Sequence, residues 1–472
     1  NEVALLDRAT RPIDVQHVDL EIVFPDTSDV LEGRMQARVV LLEPATFVDF
    51  DLESETTTSL GLRVGGAWVD GLEATFAHFE DTLRVDLPAP AAAGDTTTVT
   101  VEYGGRPIPG GFPGYGLRLT NYLDADFQND PSRRVIQTLS QPVGARLWWP
   151  CHDHPGDAAT VRLTVTTPPG FQLAAPGRRE SVITLRGGAL RQTNFMDRPI
   201  PSYLLSLVVA DLERWTEPIM VHELLEDGTS SPRTMDLVYY APPTRVDDAV
   251  YTWQNTGAML QRFEDLWGPY PYAGIKYGNA VFQGAVAMEH ATLSSIGDTP
   301  FTLSSRESTL YPGPAGELVN AHEVAHQWFG NAVRVARWGD IWLNEGFARY
   351  AEVIWLEEFY GPAFARDYLD ILRENRDLWT GTLRDPAPNQ LFSLVTYNKG
   401  ALVLHMLRQV MGRDGLFTAM RNYVSDPVLR HAEAVTIEDF RAHCEAVHGE
   451  DLGWFFGPWF DRDTIPSVDV DW

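Results

Sequence analysis

Two histidines and two glutamates in the second half of the chain have the types and spacing of a hydrolytic metal site. His322 and His326 lie four residues apart, so on an α-helix both imidazoles face one side and can bind one ion. Glu323 is rotated from that side by about 100°, where it can act as a base on a water molecule beside the ion. Glu345, on a following helix, is the predicted third ligand. Two imidazoles and one carboxylate leave a position open on one zinc ion, which is typical of hydrolytic zinc.

The elements that must position these residues change character along the chain. In the first part, apolar and polar residues alternate with a period of two, as at Val18, Leu20 and Ile22, which predicts half-buried strands of an antiparallel sheet or sandwich. In the second part the helical period dominates. The predicted helices are 246–267, 315–331, 345–359, 399–411 and 436–447.

This change of period predicts a multidomain α+β protein. An N-terminal all-β domain, saddle-like or sandwich-like, is expected over 1–211, followed by a mainly helical catalytic domain over 212–472. A continuous apolar run predicts a buried strand over 203–210 at the end of the first domain, and 278–283 is predicted to be an edge strand.

The charge of the chain limits its partners. Its 37 basic and 65 acidic residues give a net charge of −28, which repels nucleic acid and anionic membranes but attracts a peptide amine. No apolar run reaches the roughly 18 residues of a membrane span. Cys151 and Cys444 are too few for a disulfide framework and are expected to be independent buried thiols. The chain begins at Asn1 rather than Met, which favours an exported or periplasmic protein over a cytoplasmic one.

Several motifs along the chain resemble those of the aminopeptidase N family of zinc metallopeptidases, the gluzincin aminopeptidases of family M1. They are HEVAHQWFGN at 322–331, WLNEGFA at 342–348, AR at 145–146, WPCHDHP at 149–155, VAMEH at 286–290 and TYNKG at 396–400. The resemblance spans nearly the whole chain and is strongest to short bacterial members. It implies a thermolysin-like catalytic domain, without the helical domain that follows it in larger relatives.

The resemblance also implies roles for residues outside the metal motif. Tyr397 is expected to donate a hydrogen bond to the oxyanion that forms during attack on the carbonyl group. Glu289 is expected to bind the free α-amino group of a peptide, with help from Gln141, and Ala287 and Met288 belong to the same substrate-binding motif. Val286 and His290 depart from the family pattern Gly-x-Met-Glu-Asn. These departures are expected to affect the local backbone and the fit of the substrate's peptide bond in the site.

Glu352 is a further candidate, because it lies seven residues after Glu345 on the same helix face and can accept the N–H of a ligand histidine. The predicted function is therefore a zinc aminopeptidase acting on peptides with a free N-terminus. Two alternatives stay open at this point. They are a zinc endopeptidase, if the altered motif around Glu289 has lost the amine site, and a catalytically silent peptide-binding relative.

Overall fold

A computed structural model describes residues 11–464 of the chain, apart from short gaps at 26–27, 29, 56–59, 112–113, 124–127, 226, 300–301, 304–305 and 432–433. Asn1, on which the export prediction rests, lies outside the described residues. Within them, no helix is both long and apolar enough to cross a membrane. Cys151 and Cys444 are both buried and free, as predicted.

Fifteen strands occupy the described residues up to 210. They are β1 (Ile13–Val23), β2 (Leu31–Leu41), β3 (Ala45–Asp51), β4 (Gly61–Val69), β5 (Leu72–Glu73), β6 (Phe76–Phe79), β7 (Thr82–Ala91), β8 (Thr96–Arg106), β9 (Gly116–Leu123), β10 (Asn129–Leu139), β11 (Ala159–Thr167), β12 (Gln172–Ala174), β13 (Arg178–Thr184), β14 (Leu190–Ile200) and β15 (Val208–Ala210).

These strands form three sheets with the orders β13-β14-β11-β1-β2-β8-β4-β5, β12-β15-β10-β9 and β3-β7-β6. The predicted alternation is confirmed in β1, where Val18, Leu20 and Ile22 are buried between half-exposed polar neighbours. The prediction of one strand over 203–210 is wrong, since Ser202–Leu204 form a 3₁₀ turn before β15. An apolar run indicates burial, and Tyr203 and Leu204 are buried without being in a strand.

A fourth sheet follows in the second part of the chain. Its strands are β16 (Glu213–Leu224), β17 (Ser230–Ala241), β18 (Tyr277–Phe282), β19 (Ala287–Met288) and β20 (Ser294–Gly297), in the order β16-β17-β18-β20-β19. The edge-strand prediction for 278–283 is therefore wrong. β18 runs parallel to β17 and β20 between them, and all six of its residues are buried, as expected for an interior parallel strand. The two edges of this sheet are β16 and β19.

Nine α-helices complete the described fold. They are α1 (Val246–Trp253), α2 (Thr256–Trp267), α3 (Glu317–Ala325), α4 (Trp342–Trp355), α5 (Pro362–Arg373), α6 (Gly400–Met411), α7 (Arg413–Ser425), α8 (Ile437–His448) and α9 (Gly453–Phe460).

The helices correct two predicted boundaries. The helix predicted over 246–267 is two helices, and the one predicted over 315–331 is regular only as far as Ala325. Beyond His326 the chain turns, and Gly330 has a φ of +121°, which side-chain-bearing residues rarely adopt. An all-strand region followed by a mainly helical one agrees with the predicted fold class. The domain boundary at residue 211 stays a prediction.

Two glycines allow α4 and α6 to pack unusually closely. A Cβ atom on Gly400 would lie 2.8 Å from the Cα of Gly346, and one on Gly346 would lie 3.1 Å from the Cα of Gly400. A single π-helical turn, Val395–Lys399, leads directly into α6 and carries Tyr397. The glycine contact therefore sets the distance between Tyr397 and the residues on α4.

We expect Gly400→Ala to separate these two helices. Because neither backbone can give way locally, the substitution should lower the free energy of unfolding by about 1–3 kcal/mol and should also lower kcat by displacing Tyr397. Urea denaturation and steady-state kinetics measure both effects. Gly415→Ala in α7 is the matched control, since its Cβ would meet nothing closer than 3.4 Å. Equal stability of the two variants would contradict this account of the packing.

Candidate active site

The crossing of α3 and α4 brings the three predicted metal ligands together. His322 Nε2 lies 3.2 Å from Glu345 Oε2, and His326 Nε2 lies 3.4 Å from the same oxygen. All three side chains are buried, and their ligand atoms lie within 4.8 Å of one another. Although the regular helix ends at Ala325, His326 still has helical dihedral angles, so the two imidazoles stay one turn apart.

The other ring nitrogens of the two histidines are held by separate partners. His322 Nδ1 lies 2.8 Å from Glu352 Oε1, and His326 Nδ1 lies 3.1 Å from the carbonyl oxygen of Phe329. These partners fix both rings with Nε2 directed at Glu345. Two imidazole nitrogens and one carboxylate oxygen, oriented by carboxylate and carbonyl acceptors, are the donor set of a catalytic zinc ion, so the residues fit that metal.

Glu323 lies beside this triad and is buried. Its carboxylate, that of Glu289 and a ring nitrogen of His326 each place an atom within 4.8 Å of the others. Burial raises the pKa of Glu323 to about 8. For Glu345, in contrast, the effect of burial is outweighed by His326 and His322, which lower the pKa of that carboxyl group to about 2. The two carboxyl groups therefore differ in pKa. The raised pKa of Glu323 suits a proton acceptor, and the lowered pKa of Glu345 suits an anionic metal ligand.

Glu289 is held from both its side chain and its backbone. Gln141 Nε2 donates a hydrogen bond of 3.1 Å to Glu289 Oε1. Two amides from the turn after α3 donate to the carbonyl oxygen of Glu289, Asn331 Nδ2 at 2.7 Å and Gln327 Nε2 at 3.4 Å. The structure thus brings Gln141 to Glu289 across the two parts of the chain, and the metal-binding segment itself holds the glutamate backbone.

The remaining residues of the 286–290 motif lie on the edge of the fourth sheet. Ala287 and Met288 form β19 and pair with Ile296 and Ser295 of β20. His290 is fully buried, and its Nδ1 lies 2.8 Å from Ser295 Oγ. Burial lowers the pKa of His290 to about 3, so this ring is neutral. The departure from the family pattern at 290 therefore places a neutral, buried ring against Ser295 of β20.

Tyr397 packs directly on a candidate ligand. Its ring is stacked on the imidazole of His322 with a centroid distance of 5.8 Å and an interplanar angle of 10°. Tyr397 is half-buried, so part of its side chain is open to solvent beside the triad. All the predicted site residues therefore lie in one region.

Solved structures similar to this chain cover almost all of it. The M1 zinc metallopeptidase of Deinococcus radiodurans is 30% identical and matches with a TM-score of 0.79, over 97% of this chain and 95% of that one. The chain belongs to peptidase family M1. A model of the M1 peptidase domain also matches residues 251–459. A mutant M1 zinc metallopeptidase from the same organism, bound to a Tyr-Ser-Ala substrate, matches at 29% identity with a TM-score of 0.78, over 98% of this chain and 97% of that one.

Curated M1 relatives are longer than this chain. Human endoplasmic reticulum aminopeptidase 1 is 24% identical over 356 residues, which are 73% of this chain but 36% of the relative. The snake aminopeptidase A of Gloydius brevicauda is 25% identical over 375 residues, or 76% of this chain and 38% of the relative. The chain thus spans well under half the length of these two relatives. M1 membership indicates zinc as the cofactor.

Sequence reasoning missed four side chains that support the site. Gln327 and Asn331 hold the Glu289 backbone, while Arg349 and Tyr368 contact Glu352. Gln327 and Asn331 follow His326 within the quoted motif, so their positions were a usable signal. Tyr368 offered none, because it lies on another helix.

Measuring the zinc content of variants distinguishes the candidate triad from a second group, Glu289, Glu323 and His326, whose ligand atoms also lie within 4.8 Å of one another. We expect Glu345→Gln to weaken zinc binding by more than the roughly 10–100-fold typical of outer partners, because it removes an anionic ligand. Glu289→Gln should retain zinc. Metal analysis after dialysis against a graded chelator measures both variants, and the reverse order would assign the ion to the second group.

Proposed function

We propose that this protein is a zinc-dependent aminopeptidase that hydrolyses the first peptide bond of peptides with a free N-terminus. The observation that carries the proposal is the closeness of Glu289 to the triad: its carboxylate lies within 4.8 Å of both Glu323 and His326. An ammonium group held by Glu289 can place only the first peptide bond beside the metal ligands, because the next bond lies one residue, about 3.5 Å, further along an extended chain.

His322, His326 and Glu345 would hold the zinc ion. When bound, zinc polarises a carbonyl group and makes a water molecule more acidic. Glu352 and the Phe329 carbonyl group keep the two imidazoles oriented for this task.

Glu323 acts as the general base and then the general acid. Its carboxylate accepts a proton from the attacking water as the new C–O bond forms. It then delivers that proton to the amide nitrogen as the C–N bond breaks, so the products are a free amino acid and a shortened peptide. Burial suits Glu323 to this task, because a less strongly solvated carboxylate accepts a proton more readily.

Tyr397 stabilises the negative charge that develops on the former carbonyl oxygen. Its hydroxyl donates a hydrogen bond that is stronger in the transition state than to the neutral carbonyl group. Stacking on His322 holds the ring in place before substrate binds, so no reorganisation is needed at the moment of reaction.

Glu289 and Gln141 bind the α-ammonium group of the substrate. The ammonium donates to the Glu289 carboxylate, and the amide oxygen of Gln141 is a second acceptor. Next to them, β19 with Ala287 and Met288 is one of the two edge strands of its sheet. An extended peptide can add to that edge through main-chain hydrogen bonds.

Replacing the general base tests the reaction. We expect Glu323→Gln to lower kcat by about 10²–10⁴-fold, because the amide cannot accept the proton. Its zinc content should match that of the wild type, since Glu323 is not one of the three ligands. An aminoacyl-anilide assay and metal analysis are the measurements. Substantial turnover by this variant would rule out the mechanism, and a zinc-loaded wild type without turnover would favour a silent peptide-binding relative.

Blocking the substrate amine tests the direction of cleavage. We expect N-acetylated peptides to be cut at least about 100-fold more slowly than free ones, because two charge-assisted hydrogen bonds of about 1.5–3 kcal/mol are lost. Glu289→Gln should lower kcat/KM for free peptides. It should therefore reduce the ratio between the cleavage rates of free and N-acetylated peptides. The control is Glu317→Gln, which removes a buried carboxylate bound to Tyr360 and Asn255 away from the triad. Equal rates for blocked and free peptides would indicate an endopeptidase.

A further inference from the structure

Three charged residues on α4 lie on the side of the helix that faces the site. Arg349 follows Glu345 by four residues and precedes Glu352 by three, so all three share one helix face. Glu345 and Glu352 both contact His322, on its Nε2 and Nδ1 atoms respectively. Arg349 thus lies between two carboxylates that grip the same imidazole.

The buried carboxylate of Glu352 is satisfied on both oxygens. Oε1 accepts from His322 Nδ1 at 2.8 Å, and Oε2 accepts from Arg349 Nη1 at 2.9 Å and from the Tyr368 hydroxyl. Arg349 Nη1 also donates to the Tyr368 oxygen at 3.0 Å. Arg349 and Tyr368 therefore form a clamp on Oε2, and the clamp determines which way Oε1 points.

The same guanidinium group faces the ring of Tyr397. The Arg349 Cζ atom lies 5.6 Å from the centroid of that ring, within the range of a cation–π contact. Tyr397 in turn stacks on His322. The residues Arg349, Glu352, His322 and Tyr397 consequently form a closed ring of contacts, in which Arg349 meets the two members that touch His322 from different sides.

We propose that Arg349 is a positioning residue that holds Glu352 against His322 and Tyr397 against the triad at the same time. The inference rests on the proposed function for its kinetic part, and its metal-binding part stands on the Glu352 and His322 contacts alone. Arg349 contacts Glu352, Tyr368 and the ring of Tyr397. Its effect on metal binding and on the reaction therefore passes through Glu352 and Tyr397.

Two physical arguments separate this role from ordinary helix stabilisation. Glu352 is only 2% exposed, so loss of Arg349 leaves a buried carboxylate with one neutral donor on Oε2. Such a group is free to turn away from His322. The Arg349 side chain is itself 27% exposed, and its replacement by the similarly long, unbranched side chain of Met keeps the apolar stem, so the helix should stay intact.

The test uses the zinc-loaded full chain with the variants Arg349→Met, Arg349→Lys and Tyr368→Phe. Arg408→Met is the matched control. Arg408 also pairs with a glutamate, Glu357, which lies just beyond the end of α4, and it also lies over an aromatic ring, that of Phe417. The measurements are kcat and KM for an aminoacyl-anilide, the rate of zinc release to an excess of chelator, and the urea midpoint of unfolding.

We expect Arg349→Met to release zinc about 10–100-fold faster and to lower kcat about tenfold or more, with KM changed less than threefold. Arg349→Lys should recover part of both effects, because its ammonium group still pairs with Glu352. Tyr368→Phe should speed zinc release while lowering kcat less, because it contacts Glu352 but not Tyr397. Arg408→Met should match the wild type in zinc release and kcat.

The proposal fails if Arg349→Met releases zinc and turns over like the wild type, or if its losses equal those of Arg408→Met and follow the urea midpoint. A wild type that holds zinc but cleaves no anilide would refute the proposed function. The zinc-release comparison would still decide whether Arg349 positions Glu352.

Discussion

The concentration of buried carboxylates around two imidazoles is the constraint on which the rest of the structure depends. Glu289, Glu323, Glu345 and Glu352 are each no more than 4% exposed. In a medium of low polarity, like charges at such distances repel strongly, and each must be offset by a cation or by directed donors. Glu345 and Glu352 are offset by His322 and Arg349, while Glu289 takes a donor from Gln141. Burial raises the pKa of both Glu289 and Glu323, so these two carboxyl groups are held less strongly as anions than Glu345 and Glu352.

The scaffold meets this constraint through spacing within few elements. On α4, the intervals of four and three residues put two carboxylates and a guanidinium group on one face. The turn after α3 supplies the amides of Gln327 and Asn331 to the Glu289 backbone. The motif 322–331 therefore has two tasks. Its first half presents metal ligands, and its second half holds the backbone of Glu289, the residue that would bind the substrate amine. A shift of the turn would disturb both tasks together.

Local patterns predicted which residues come close together in the candidate site better than they predicted its surroundings. The interval between His322 and His326 depends only on helix geometry, so it survives although the regular helix is shorter than predicted. The position of β18 could not be predicted, because its six residues, which include Gly278 and Asn279, do not indicate which strands lie on either side of it. The clamp on Glu352 was out of reach for the same reason, since Tyr368 approaches from α5 and no spacing along the chain indicates that contact. The contact between Gly346 and Gly400 could not be predicted either, because glycine is required there only by the close packing of two helices.

Val286 and His290 are the two departures from the family motif. They flank β19 and contact β20, and neither adds a charge to the site. The Val286 carbonyl group accepts from the Gly297 amide at 3.0 Å, a backbone bond that does not depend on the side chain. His290 is neutral and bonded to Ser295, the residue opposite Met288 in the β19–β20 pair. A buried ring in this place supports the backbone next to Glu289 while adding no charge to a region already rich in carboxylates. The substitution is therefore compatible with an amine site, because what Glu289 requires of its neighbours is a fixed backbone.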